Sequence, residues 1–191
     1  MKKKIFISIA MVALVSFKPI EKTTWALDKN HAKLGFMVTH MMVSDVEGWF
    51  KTFDATLTST KADFADAEVE LTAEVKSINT DIEMRDKDLR SGNFFDVEKY
   101  PTLTFKSKSF KRVKDNVYKV SGDLTICGIT KTIELDAMCR MGENPMSKKI
   151  IAGFKISGTL KRSDFGIGPK TPNAIVGDEI QIVSNAEFNK N

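Results

Sequence analysis

The sequence predicts an all-β domain whose strands close into an extended eight-stranded antiparallel barrel, with a short helical insertion at about residues 80–100. Three observations predict it. Apolar residues recur with period two in eight segments, each segment has one apolar and one polar face, and only one stretch breaks the alternation for long. Eight strands are enough to close a barrel and remove its edges. A two-sheet sandwich fits the same alternation, because strand order is not written in it.

In chain order, residues 25–27 make a short first piece, and Leu34, Phe36 and Val38 begin the first long strand. Trp49, Phe53, Ala55 and Leu57 read as one inward-facing set. Val69, Leu71, Ala73 and Val75 alternate with Glu68, Glu70, Thr72 and Glu74, and Leu103 and Phe105 alternate with Thr102, Thr104 and Lys106. Tyr118, Val120, Leu124 and Ile126 share a face interrupted by Gly122, which predicts a bend or bulge. A turn at 128–131 leads into Ile133, Leu135, Ala137 and Cys139. Phe154, Ile156 and Leu160 follow, with Gly158 on the same face, and Ile180, Ile182, Ala186 and Phe188 close the series.

The break in alternation is residues 80–92, a predicted helix with Thr80 as N-cap, Asp81 and Glu83 in its first turn and Gly92 as C-cap. A further turn is expected from Asp96 up to Pro101, and a short helix around residues 40–45. No repeat or linker divides the chain, so residues 19–191 read as a single domain.

The composition, 42% hydrophobic and 28% charged with 11 Gly and 5 Pro in 191 residues, excludes disordered and collagen-like classes. The length supports a core without disulfides or metal. Lys2, Lys3 and Lys4 precede an apolar run at residues 5–17, well short of the roughly 20 residues of a spanning helix. Residues 1–18 therefore read as a secretory signal peptide, with no A-x-A motif to fix its cleavage and an uncleaved anchor as the alternative. A periplasmic or otherwise exported location is expected, with no integral span after signal removal.

Those three lysines supply most of the net charge of +4, so the mature chain is close to neutral and offers no basic stripe for nucleic acid. Export would place Cys127 and Cys139 in an oxidising compartment. The predicted hairpin sets them roughly 20 Å apart, however, beyond disulfide reach, so two free thiols are expected.

Motifs for acyl transfer, zinc proteolysis, dithiol exchange and nucleotide binding are absent from the sequence. His31 and His40 flank the first long strand, and a zinc site built on them would have to borrow Asp28 or Asp45; hydrogen-bonded structural histidines are the simpler reading. No metal or cofactor is expected. Arg85, Lys87 and Arg90 stand among Asp81, Glu83, Asp86 and Asp88, either as fork donors for an anionic headgroup or as a solvated helix face. Phe36, Trp49, Phe53, Phe105 and Phe154, with Leu124, Ile126, Ile133, Leu135 and Ile156, fall on inward positions and are the candidate apolar ligand contacts.

Several motifs then carry a resemblance. They are W-A-L-D-x-x-H at residues 25–31, V-T-H at 38–40, G-W-F at 48–50 and S-I-N-T at 77–80. R-D-K-D-L-R-S-G-N-F-F-D follows at 85–96, then Y-P-T-L-T-F at 100–105, G-D-L-T-I-C-G-I-T-K at 122–131 and G-T-L-K-R-S-D-F-G at 158–166. In order and spacing the chain resembles the YceI-like family, periplasmic lipocalin-like proteins associated with binding polyisoprenoids or other lipids. Asp88, Ala32, Thr132 and Cys127 stand where that family more often carries His, Ser, Pro and a polar or basic residue.

The resemblance implies a lipocalin-like barrel with a long apolar channel, its helical insertion near one mouth, and Arg85 and His31 near that mouth as headgroup contacts. Alternatively, Arg85 and Asp86 form a structural pair pinning the helix. The function so implied is an exported, non-enzymatic carrier of an isoprenoid, quinone or fatty chain. The rivals are an enzyme on such a lipid using His31 or His40, and a packed structural or stress-response barrel without a ligand; a dimer is left open.

Overall fold

A computed structural model describes residues 21–191; the expected signal peptide, residues 1–18, lies outside them. The chain runs β1 (Thr23–His40), β2 (Ser44–Phe50), β3 (Phe53–Ser59), β4 (Glu68–Glu74), β5 (Ile78–Asn79) and helix α1 (Glu83–Arg90). It continues as β6 (Thr102–Lys114), β7 (Val117–Ile126), β8 (Ile129–Glu143), β9 (Ile150–Lys161) and β10 (Val176–Lys190). Strands β3, β4, β6, β7, β8, β9 and β10 follow one another round the ring, and β1 pairs with both β10 and β3 to close it. Every pairing is antiparallel. This is the predicted eight-stranded barrel and not a sandwich. β2 and β5 extend the ring at the end that carries α1, called here the helix end; the other, where the two ends of the described chain pair, is the terminus end.

The long β1 divides one edge between two partners: Thr23 to Ala26 pair with β3, and Leu34 to His40 pair with β2. Between these stretches Lys29, Asn30 and His31 loop out of register, because Asp28 pairs with Glu187 but Ala32 already pairs with Ala186. The facing chain breaks at residues 51–52. Each interruption swaps the side-chain parity, as a one-residue slip must. Trp25 and Leu27 point inward before the bulge, and Leu34, Phe36 and Val38 after it. On the partner, Phe50 is buried on β2 and Ala55 and Leu57 on β3. Trp49 was expected inward as part of one continuous strand; the parity swap turns it outward, where Lys33 Nζ lies 4.2 Å from its ring centroid.

Three local expectations are also corrected. Helix α1 is shorter than residues 80–92, because Thr80 binds Asp86 rather than capping; Ile82 occupies the N-cap and Ser91, not Gly92, the C-cap. The expected helix at 40–45 is a turn of Met41, Met42 and Val43, since His40 and Ser44 already pair across it. The β7–β8 turn is two residues, Cys127 and Gly128, with φ of 50° and 73°, the geometry of a type I′ hairpin. A Cβ on Gly128 would lie 2.8 Å from Tyr100 Cε1. This tighter turn sets Cys139 against Asn116, and both cysteines are free. The expected turn after Asp96 is present, with Tyr100 N–H donating to the Asp96 carbonyl at 2.8 Å. At Gly122, a Cβ would stand 2.4 Å from Phe105 Cζ, so glycine makes room for an inward ring while β6 bulges opposite between Ser107 and Ser109.

An aromatic cluster seals the terminus end. Phe64, 1% exposed with φ of 55°, packs edge-on against Trp25 at 5.2 Å and Phe154 at 5.5 Å. Tyr118 stacks near Phe110, and its hydroxyl donates to the Asp63 carbonyl at 2.8 Å. Replacing Phe64 with Ala is expected to destabilise the fold by about 3–5 kcal/mol, read as a shift of the denaturant midpoint; a loss under about 1 kcal/mol would show that Phe64 is no plug.

Candidate functional site

Inside the ring the inward residues do not fill the whole interior. They leave two apolar spaces of about 130 and 140 Å³, which share Leu34, Leu103, Leu124 and Ile182 in their linings. The space nearer the terminus end is walled by Phe53, Phe105, Ile133, Leu135, Phe154 and Ile156 among others. The space at the helix end is walled by Phe36, Phe50, Ile126 and Ile180, and roofed by Leu89, Phe94 and Phe95. Nine of the predicted contacts thus line the channel: Phe36, Phe53, Phe105, Leu124, Ile126, Ile133, Leu135, Phe154 and Ile156.

Sequence reasoning missed Phe50, hidden by the parity swap at residues 51–52. It also missed Phe94 and Phe95, which lie in a loop without periodicity; only their place in a recognisable motif signalled them. Phe50 meets Phe95 edge-on at 6.2 Å and Phe36 at 6.0 Å. The Cys127 thiol lies 3.6 Å from the Phe95 carbonyl and 3.9 Å from that of Phe94, against the same loop.

The wall contains two polar side chains, and both are spent internally. Ser184 donates its hydroxyl to the Lys33 carbonyl at 2.5 Å, next to the β1 bulge. Arg162, 3% exposed, donates from Nε to the Gly177 carbonyl and from Nη1 to the Ile167 and Gly168 carbonyls. From Nη2 it reaches the Thr171 and Val176 carbonyls and Asn173 Oδ1. These bonds stitch residues 166–177 into a fixed rim at the helix end. No His, Cys, Asp or Glu lines the channel among the described residues.

Of the two residues expected at the mouth, Arg85 is at the helix end with donors engaged by Thr80, and His31 is on the outer face of the barrel. Arg85 gives Nε to Thr80 Oγ1 and Nη2 to the Thr80 carbonyl, both at 2.7 Å. Asp86, 2% exposed, accepts the Thr80 N–H at 2.9 Å and its hydroxyl at 2.5 Å. Arg85 and Asp86 therefore pin α1 through Thr80, which corresponds to the structural alternative. His31 belongs to the bulge on the outer face, its side chain 64% exposed and its Nδ1 3.1 Å from Asp28 Oδ2. Glu187 Oε2 lies 4.0 Å from the same nitrogen. These three are the one group of potential metal donors among the described residues, and they lie outside the barrel, where Asp28 and His31 close the bulge. The Asp28 hydrogen bond and charge, and then Glu187, hold the His31 pKa above its ordinary 6.5. Asp28 is lowered by the same bond and by the Asn30 N–H. Burial pushes both thiols up to about 11, so neither is an activated nucleophile.

The comparisons follow this architecture. The family model for the YceI-like domain matches residues 25–188. The chain belongs to the YceI-like family. A UPF0312 protein of Staphylococcus aureus (strain N315) is 35% identical over 171 residues, 87% of this chain and 97% of that protein. The crystal structure of BcnA from Burkholderia cenocepacia superposes with a TM-score of 0.74 at 27% identity, covering 84% of this chain and 98% of that one. A polyisoprenoid binding domain from Saccharophagus degradans, implicated in plant cell wall breakdown, has a TM-score of 0.64 at 15% identity over 87% of this chain and 98% of its own; that likeness is one of fold.

Because the folded-state pKa of His31 is raised, the Asp28–His31 pair contributes stability below about pH 6.5 and loses it as pH rises through the raised value. In an NMR titration of the imidazole, Asp28→Asn is expected to bring the midpoint down toward 6.5. A midpoint unmoved by the substitution would show that the contact does not persist in solution.

Proposed function

We propose that this YceI-like barrel is an exported, non-enzymatic carrier that sequesters one apolar lipid chain of isoprenoid, quinone or fatty type in its interior. One observation carries the reading: two adjacent apolar chambers whose wall is apolar apart from two side chains already hydrogen-bonded within the protein. Burying a chain there recovers about 0.8 kcal/mol per methylene, so affinity needs no polar recognition. With the terminus end sealed by Phe64 and its neighbours, access runs past the roof of Leu89, Phe94 and Phe95 at the helix end. A polar head then stays at or outside that rim. Two spaces that no side chain fills argue against a fully packed barrel. An enzyme relying on His31 would need that side chain inside, whereas it stands on the outer face.

The deciding experiment is native mass spectrometry of protein gently purified from an exporting host, followed by organic extraction. A bound mass that extracts as a prenyl, quinone or acyl lipid is the expected result. An unliganded mass, unchanged after incubation with prenols, quinones and fatty acids, would overturn the reading. Ala137→Trp places an indole in the chamber nearer the terminus end. It is expected to lower lipid occupancy at least ~tenfold while the unfolding midpoint drops only slightly, since the ring occupies open space. A collapse of stability instead would mean that the chamber is closed in solution.

A further inference from the structure

Residues 1–20 contain four lysines and no acidic residue, so the other 25 basic side chains balance the 25 acidic ones and residues 21–191 carry no net charge. That neutrality conceals local clusters of charge. At the terminus end the β6–β7 and β8–β9 hairpins carry Lys111, Arg112, Lys114, Arg140, Lys148 and Lys149 against Asp115 and Glu143. At the helix end, residues 81–98 hold six acidic side chains against three basic ones.

The two hairpins form one surface. The Asn116 carbonyl accepts the Cys139 N–H at 2.9 Å, and the Asn116 amide donates to the Cys139 carbonyl at 2.8 Å. β8 then runs past the end of β7: residues 140–143 pair with β9 alone, so this arm stands beyond the neighbouring hairpin. Among the cations, Arg112 meets Asp63 and Lys148 meets Glu143, each at 3.4 Å. Lys111, Lys114 and Lys149 have no carboxylate partner among the described residues. Between the cations, Met146 is 91% exposed and Val113 63%, with Met141 and Ile150 exposed along the arm.

We propose that these two hairpins dock the terminus end of the barrel onto an anionic lipid bilayer, with the lysines over the headgroups and Met146 and Val113 in the interface. The occupant follows from charge and shape. A basic cluster on a neutral protein complements an anionic surface. Single apolar side chains on separate tips, each flanked by lysine, suit shallow insertion with snorkelling cations. None of this depends on what the channel holds, so the docking and the carrier reading fail separately.

Vesicle co-sedimentation of tag-free protein from an exporting host tests the proposal. Binding is expected on phosphatidylcholine vesicles containing roughly a third phosphatidylglycerol, not on phosphatidylcholine alone, and is expected to fall as salt rises. The Lys114→Glu/Lys149→Glu variant is expected to lose at least ~tenfold in partitioning. Met146→Ala is expected to lose roughly threefold with the salt dependence kept. Lys170→Glu, at the helix end, is expected to bind as the parent does. Unchanged unfolding midpoints establish that each variant is folded. Equal partitioning to both vesicle types, or a charge-reversed variant that binds like the parent, would overturn the proposal. So would a concentration-dependent dimer that the same substitutions disrupt, without vesicle binding, since the surface would then fit a second copy.

Discussion

Closure of the ring is the constraint from which the other features follow. Every backbone donor and acceptor of an eight-stranded barrel has to find a partner around the circle, because an open edge left in water invites pairing with another chain. β1 meets this by pairing with β10 along almost its whole length while sharing its other edge between β2 and β3. Such sharing is possible only if β1 bulges where its partner breaks, so that both chains change parity at the same level. The bulge at 29–31, the break at 51–52, the outward Trp49 and the inward Phe50 are one event seen from four positions. Even the exposed Asp28–His31 pair belongs to it, as the side-chain closure of the looped-out residues.

A closed ring of this size is not obliged to fill its centre, and here it does not. At about 24 cal/mol per Å³, each empty chamber forfeits roughly 3 kcal/mol relative to a packed interior. The structure carries that deficit while leaving no buried polar atom in the wall unpaired: Ser184 and Arg162 both donate inward to backbone carbonyls. Arg162 is the more telling of the two, since a buried cation needs its donors satisfied to be tolerated. Its six acceptors come from a loop that forms the rim, so the same side chain that would be a liability in an apolar wall organises the opening.

Much of this was legible in the residues. Period-two alternation yielded the eight strands of the ring and nine residues of the chamber walls, because burial on one face of a strand is a direct consequence of the pleat. What alternation does not encode is a change of parity. Trp49, Phe53, Ala55 and Leu57 have the spacing of one strand, and nothing in those four residues reveals that the chain turns over at Lys51 and Thr52. Capping signals misled for a similar reason. Thr80 is a good N-cap by type, but a buried Asp86 six residues on competes for its N–H and hydroxyl and wins. Arg85 and His31 showed the limit of motif reasoning: both lie at motif positions, and both serve the fold, one pinning α1 and the other closing a bulge.

The location of charge limits what the channel can discriminate. A fatty acid, a prenol and a quinone differ in their heads as well as in chain branching, and the wall holds no free side-chain donor, acceptor or charge to tell those heads apart. On the carrier reading, selection inside the barrel rests on chain width, above all beside Leu34, Leu103, Leu124 and Ile182, which line both chambers. Branched and linear chains present different cross-sections at that point. Discrimination between heads, where it occurs, falls to the rim at the helix end, whose neighbouring segment at residues 81–98 is predominantly acidic. An acidic segment beside the rim disfavours an anionic head by like-charge repulsion, so the carrier reading carries with it an expected preference for neutral lipids over carboxylates and phosphates of equal chain length.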